Sequence, residues 1–191
     1  MTTSSPKTGP TATATTTTHL DPELFDLCVR AFAGVPVADD NHTVAAAVRS
    51  RRTGETVVAL NVYHFTGGPC AELCAFGAAA ARGVLPTDVE TIIAVCRRQK
   101  EQQQQQQLQK GPWDGAGDGD VVFRVINPCG RCAQTMLDYN PEIGVIVMDR
   151  HGREVKTRAR DLVAYPSVWE DGNTGREEKR KALEAGRTGE E

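Results

Sequence analysis

Two short cysteine clusters constrain this chain more than anything else in it. The first is Pro69-Cys70-Ala71-Glu72 and the second is Asn127-Pro128-Cys129-Gly130-Arg131-Cys132. Each follows a strand-like run and a loop, and each opens a helix-like run. In the second, Asn127 is expected to cap the helix and Pro128 to occupy its first turn. Cys129 and Cys132 then stand at i and i+3, one turn apart on one face. A helix N-terminus carries partial positive charge, which favours the thiolate form that binds metal. Cys70 has the same advantage at its own helix start. A fold that satisfies both clusters brings two helix starts, far apart in sequence, to one point.

The rest of the pattern is consistent with that demand. Asp21 and Pro22 start a helix carrying Leu24, Leu27, Cys28 and Phe32 at helical spacing, with Gly34 after it. Strand-like runs follow at Val44–Val48 and Val57–Val62, separated by a turn at Gly54. Cys70–Ala81 is Ala-rich and helical, closed by Gly83, and Val89–Val95 reads as a buried strand. Val121–Ile126 is the next strand, Cys129–Tyr139 a helix and Ile143–Met148 a strand. Glu154–Lys156 reads as an edge strand and Ala159–Val163 as a last short helix. Strands alternating with helices indicate an α/β sheet covered by helices.

Three stretches stand outside this alternation. Residues 1–20 form a Thr-rich tail with too little apolar surface to order itself. Residues 97–119 read as a solvated insertion, running from two arginines through six glutamines to Gly and Asp. Residues 173–191 read as a charged C-terminal tail, which leaves 21–172 as the domain. The net charge of -3 argues against a nucleic-acid groove, and Arg97-Arg98 is the one basic pair near the insertion. No apolar run is long enough to span a membrane. Met1 to Thr18 lack the apolar core of a secretory signal, so a reducing, cytoplasmic compartment is expected. The six cysteines then read as ligands or core residues rather than disulfides.

Three ligands, rather than four, decide the chemistry of the clusters. Structural zinc sites are usually closed by four protein ligands, whereas catalytic ones keep a position for water. Glu72, two residues after Cys70, would stand beside that position and move protons between water and a substrate nitrogen. A ligand, a Glu two residues on and a later Pro-Cys-x-x-Cys is the pattern of zinc-dependent base deaminases. Plainer readings exist for each residue. The three cysteines could be buried thiols, and Cys74, one turn after Cys70, could close the site as a fourth ligand. Cys28 and Cys96 read as core. Glu72 could be only a favourable carboxylate at a helix start.

On these motifs the sequence resembles the cytidine deaminase superfamily, and within it the fungal blasticidin-S deaminases. The stretch NVYHFTGGPCAEL, Asn61 to Leu73, resembles their substrate loop and first ligand motif. PCGRC with Gln134, Leu137, Asp138 and Pro141 resembles the second, and Val168-Trp169-Glu170 the C-terminal segment. The resemblance covers roughly 22–171. It implies a three-layer α/β/α sandwich around a mixed sheet, and a homotetramer. It also implies zinc on Cys70, Cys129 and Cys132, Glu72 as proton shuttle, and Asn61 on the sugar. Ala71 would bind the ring through its backbone, with Tyr63, His64 and Trp169 as further substrate contacts.

Departures from the family pattern bear on the substrate. Where ordinary cytidine deaminases carry a ribose-binding Glu after Asn-Val, this chain has Tyr63. A carboxylate there would repel the acidic sugar of blasticidin S, so its absence favours that substrate class. Leu73 stands where an arginine usually balances the thiolates, and Arg131 is the natural replacement. Ser167 stands where an aromatic is expected two residues before Trp169. The reading is therefore a deaminase of a blasticidin S-like nucleoside. Cytidine or deoxycytidine salvage is one alternative and an inactive zinc-binding interaction module another. Arg131 could be a solvated charge, Asn61 a strand terminator, and Tyr63 or Trp169 packing residues.

Overall fold

The computed structural model describes residues 19–99 and 121–167. The readings placed on 1–18, 100–120 and 168–191, Trp169 among them, lie outside the described residues. The elements are α1 (Pro22–Ala31), β1 (Val44–Ser50), β2 (Thr56–Leu60), α2 (Ala71–Ala80), β3 (Val89–Gln99), β4 (Val121–Val125), α3 (Gly130–Tyr139), β5 (Gly144–Met148) and β6 (Glu154–Arg158). Single 3-10 turns at Pro86–Asp88 and Ala159–Asp161 lead into β3 and out of β6; the second replaces the short helix expected at Ala159–Val163.

The six strands make one mixed sheet in the order β2-β1-β3-β5-β6, with β4 also on β3. Side-chain alternation along β1 separates its faces. Ala45 and Ala47 lie in one core with Leu24, Phe25 and Cys28 of α1 and with Phe32, which caps its C-terminus. Ala46 and Val48 lie in a second core with Ala71, Ala75 and Phe76 of α2 and Cys132 and Met136 of α3. The result is the expected three-layer α/β/α sandwich, one helix on one face and two on the other. Alanines on both β1 and α2 allow close approach of helix to sheet. Gly83 (φ 77) takes the left-handed conformation that turns the chain out of α2.

α1 begins as its sequence dictates. Asp21 accepts a hydrogen bond from Leu24 N at 3.2 Å, and Pro22 fills the first turn. Arg49 of β1 grips Asp21 at 2.6 and 3.0 Å and Glu23 at 2.9 Å, tying the helix start to the sheet. The Asp21 carboxyl is held below its usual range, first by that Arg49 hydrogen bond.

β3 is longer than the expected Val89–Val95, and the insertion is correspondingly shorter. Residues 97–99 are strand, paired with 121–123 of β4. Arg97, assigned to a solvated insertion, is buried. Its guanidinium donates to the carbonyls of Val35, Pro36 and Asp39 at 2.8, 2.9 and 3.1 Å and lies 4.9 Å from the Phe32 ring centre. Three backbone acceptors on the 35–39 loop need a donor, and Arg97 supplies it. The tail boundary also shifts. His19 stacks on Phe25 at 3.4 Å and meets Glu154 at 2.6 Å, and Leu20 N donates to Glu154.

β5 and β4 share one edge of β3. β5 pairs parallel with Thr91–Ile93, and β4 pairs antiparallel from Val95 to Gln99. The last β3–β4 pair is Gln99 with Val121. A direct two-residue Asn-Gly turn in place of residues 100–120 should therefore close this hairpin without disturbing the register. The shortened protein is expected to unfold within about 5 °C of the parent, since loop length contributes weakly to stability. A much larger drop in a thermal melt would make 100–120 a structural element of the domain.

Candidate active site and metal centre

One line of sheet register positions the site. Leu60 is opposite Ala45, Ala45 opposite Val95, and Val95 opposite Val125. The chain leaves β2 at Leu60 and β4 at Val125, so it leaves the sheet twice at one height. Both exits lead to helices packed on the same face. Cys70 and Cys129 are the N-cap residues of those helices, each with extended backbone before its first turn.

Asn127 does not cap α3, as the sequence suggested. Its amide exchanges two hydrogen bonds with the backbone of Met148, at 2.7 and 3.0 Å. Met148 ends β5 where β4 arrives along the same edge, and its exposed N–H and C=O need partners there. Asn127 supplies both and moves the cap to Cys129.

The three thiols meet. Cys70 Sγ lies 3.7 Å from Cys129 Sγ, which lies 3.6 Å from Cys132 Sγ. Among the described residues they form the one group of three metal-ligating side chains within 4.8 Å of one another. Two sulfurs bound tetrahedrally to zinc at about 2.3 Å stand about 3.8 Å apart. Donor type and spacing therefore both fit zinc. Cys74 stays outside the group, its thiol donating to Pro69 O at 3.9 Å. Cys28 and Cys96 are buried in the core as expected. Burial pushes the Cys28 thiol up to about 12; Cys96 accepts from Arg124 Nε at 3.3 Å.

The electrostatics are divided within the cluster. Burial opposes ionisation of Cys129, but the N–H groups of Cys132 and Arg131 and the thiols of Cys132 and Cys70 hold it below the usual range. Burial, then the Glu72 charge, pushes Cys132 up. Glu72 sits in the first turn of α2 and is only 4% exposed. Burial raises its carboxyl above the ordinary range, against the pull of its own N–H, the Cys132 thiol and Arg131. Arg131 Nη2 donates to Gly68 O at 2.9 Å and to Cys70 Sγ at 3.7 Å. Arg131 is exposed, as a solvated charge would be, and it also reaches the Cys70 thiol.

A cleft of about 360 Å³ opens beside the cluster, lined by Cys70, Ala71, Glu72 and Cys129 at its floor and by Asn61, Tyr63 and His64 on one wall. That volume is in the range of small-molecule sites. Asn61 is less free than the sequence implied. Its Oδ1 accepts from Thr43 N and Val44 N at 3.0 and 2.9 Å, and its Nδ2 donates to Asn41 O at 2.7 Å. Nδ2 has a second hydrogen, for which no acceptor is found among the described residues. Tyr63 is exposed, so it is not a core aromatic. His64 bonds Thr66 Oγ1 at 2.5 Å and tilts against Phe65.

The C-terminal segment carries a contact that sequence reasoning missed. Gln134 accepts from Ser167 N at 2.9 Å and donates to Ser167 O at 3.0 Å, with Asp138 as its third partner. The side chain acts as a one-residue strand partner, so the backbone at Ser167 is gripped whatever its side chain. The spacing of Gln134 and Asp138 by one helical turn was the available signal.

Comparison with known proteins supplies the family. The chain is 32% identical over 127 residues to the blasticidin-S deaminase of Bacillus cereus, covering 65% of this chain and 76% of that protein. The chain belongs to the cytidine deaminase-like superfamily. It is an enzyme of the deaminase class. Two solved structures share the fold. The cytidine deaminase from Bacillus anthracis matches with TM-score 0.56 at 16% identity, covering 85% of this chain and 97% of that one. The cytidine deaminase from Burkholderia pseudomallei matches with TM-score 0.52 at 24% identity, covering 75% and 96%. No protein-family profile matches the chain. No helix among the described residues is long and apolar enough to cross a membrane.

The sulfur spacing sets an expectation for metal analysis. The purified protein should carry one zinc ion per chain, Cys129→Ala should lose it, and Cys74→Ala should keep it. Full zinc content in Cys129→Ala would take Cys129 out of the ligand set.

Proposed function

We propose that the chain is a zinc-dependent hydrolytic deaminase. It converts the 4-amino group of a cytosine-type, blasticidin S-like nucleoside to the keto form and releases ammonia. The observation that carries this reading is a single arrangement: three thiols 3.6–3.7 Å apart at two helix starts, with the buried Glu72 beside them on the cleft floor. In this reading Cys70, Cys129 and Cys132 hold zinc. When bound, the ion supplies the Lewis acidity that makes water a nucleophile near neutral pH.

The chain's own residues do the rest. Glu72 takes a proton from the attacking water and delivers it to the ring nitrogen, and a second transfer sends the amino group out as ammonia. Its burial excludes bulk water from that exchange. The backbone of Ala71 holds the ring, and Arg131 offsets the charge of three thiolates. Asn61 donates its remaining amide hydrogen to the sugar, Tyr63 and His64 line that half of the pocket, and the family resemblance adds Trp169 as a further substrate contact. A homotetramer and a cytoplasmic location belong to the same reading; the tetramer rests on the family resemblance. Turnover of blasticidin S would make the chain an antibiotic-resistance enzyme.

Glu72→Gln keeps the shape of the side chain and removes its proton transfer. It should retain zinc and fold while turnover falls by at least about 10²–10⁴-fold. A variant with most of its activity would move the shuttle to another group.

Substrate choice is decided at the sugar half. With Tyr63 in place of a carboxylate, the ribose hydroxyl of cytidine loses a strong acceptor, whereas an acidic sugar loses a repulsion. In parallel assays, kcat/KM for blasticidin S is expected to exceed that for cytidine and deoxycytidine. Equal or better turnover of cytidine would place the enzyme in pyrimidine salvage, and zinc without turnover of any of them would make it a binding module.

A further inference from the structure

The wall of the cleft is a loop with little to hold it. Residues 62–69 close on themselves through Val62 N to Pro69 O at 3.1 Å and Gly67 N to His64 O at 2.9 Å. His64 and Thr66 bond each other inside the loop. The side chains at its crest do not pack, since Val62, Tyr63 and Phe65 are 50%, 64% and 86% exposed. Among the described residues, two side chains hydrogen-bond to this loop from another element. One is Cys74, whose sulfur makes a long contact with Pro69 O and also meets the backbone of Val62. The other is Arg131, with Nη2 on Gly68 O at 2.9 Å.

The same Arg131 nitrogen lies 3.7 Å from Cys70 Sγ, and Arg131 itself stands between Cys129 and Cys132 in the first turn of α3. One guanidinium nitrogen thus joins the loop wall, the first cysteine and the turn that bears the other two. Gly68 makes the seat possible. A Cβ at that position would stand 1.6 Å from Val62 O, so a larger residue would push the Gly68 carbonyl away from Arg131.

We propose that Arg131 is a positioning residue that pins the cleft-wall loop 62–69 to the cysteine cluster, so that the order of the substrate wall depends on the state of the cluster. This rests on the zinc reading above. Balancing thiolate charge needs only a cation nearby. Pinning needs a donor aimed at both Gly68 O and Cys70 Sγ, which the rigid guanidinium offers and the flexible lysine ammonium does not. With the three sulfurs held together, the seat of Arg131 is fixed. With them released, nothing holds Cys70 against the α3 turn, and Arg131 loses one of the two acceptors that fix its seat.

Hydrogen exchange of peptides covering 61–69, with a β3 peptide as internal control, tests this on the full chain. Zinc-loaded Arg131→Lys should keep one zinc per chain and the β3 protection, while its loop exchanges about tenfold faster and KM rises more than kcat falls. Gly68→Ala should do the same, and the double variant should add little to either single one, because both release one contact. Chelating zinc from the parent should speed loop exchange in the same way. Parental loop exchange in Arg131→Lys, additive effects in the double variant, or a loop indifferent to chelation each overturn the proposal. If Arg131→Lys loses β3 protection, Gly68→Ala with and without zinc decides alone: a loop that loosens to the same extent in both states supports the pin, and a further loosening on chelation refutes it. Metal content and turnover of the parent test the zinc reading separately.

Discussion

A single row of sheet register, Leu60–Ala45–Val95–Val125, sets the position of everything chemical in this protein. Register in a sheet with both faces buried is strongly specified, because a slip of one residue would exchange the faces. Here a slip of β1 would put Ala46 and Val48 against α1 and Ala45 and Ala47 against α2. The hydrophobic cores thereby fix the height at which β2 and β4 end, and with it the distance between two helix starts. The cysteine spacing thus follows from apolar packing of strands and helices, in which Cys70 and Cys132 take part only as two members among many.

The helix starts then supply what three close sulfurs need. Thiolates 3.6–3.7 Å apart repel, and only an environment rich in donors and positive charge makes them compatible. The N-termini of α2 and α3 and the guanidinium of Arg131 all contribute in that direction. Burial works the other way at Cys132 and Glu72. The cluster is therefore balanced between groups that favour ionisation and a core that opposes it, as a site for a divalent cation should be. A carboxyl raised above its ordinary range by burial beside such a site suits proton transfer, because burial favours its protonated form while Arg131 and nearby donors favour the carboxylate.

The sequence was legible where a residue's chemistry is used locally. Asp21-Pro22 started α1 and the two Cys motifs started α2 and α3, because caps and short ligand spacings are contained within one turn. Legibility failed where a side chain serves a distant backbone. Asn127 looked like a helix cap and is the partner of Met148. Arg97 looked like the edge of a solvated segment and anchors the carbonyls of 35–39. For Asn61, what the sequence did not show is the second use of the side chain, since most of its hydrogen-bonding capacity goes to Asn41, Thr43 and Val44. Each is a polar side chain paired across the fold, and no periodicity records such a pairing.

One of those long-range polar pairs, that of Asn61, also bears on the substrate reading proposed above. In the proposed reading, the ring end of the cleft is the part built on helix starts and core, where a substitution moves the sulfurs. The sugar end is the loop whose crest is exposed. Asn61 spans the two regimes: its carbonyl oxygen fixes the start of β1, leaving a single donor for the ligand. A donor with no acceptor capacity beside it favours oxygen-rich or anionic groups over hydroxyl hydrogens. Tyr63 and His64 can change without cost to the core because they hang from that loop. Chemistry and selectivity are thus separated along the cleft by the difference between packed and unpacked backbone.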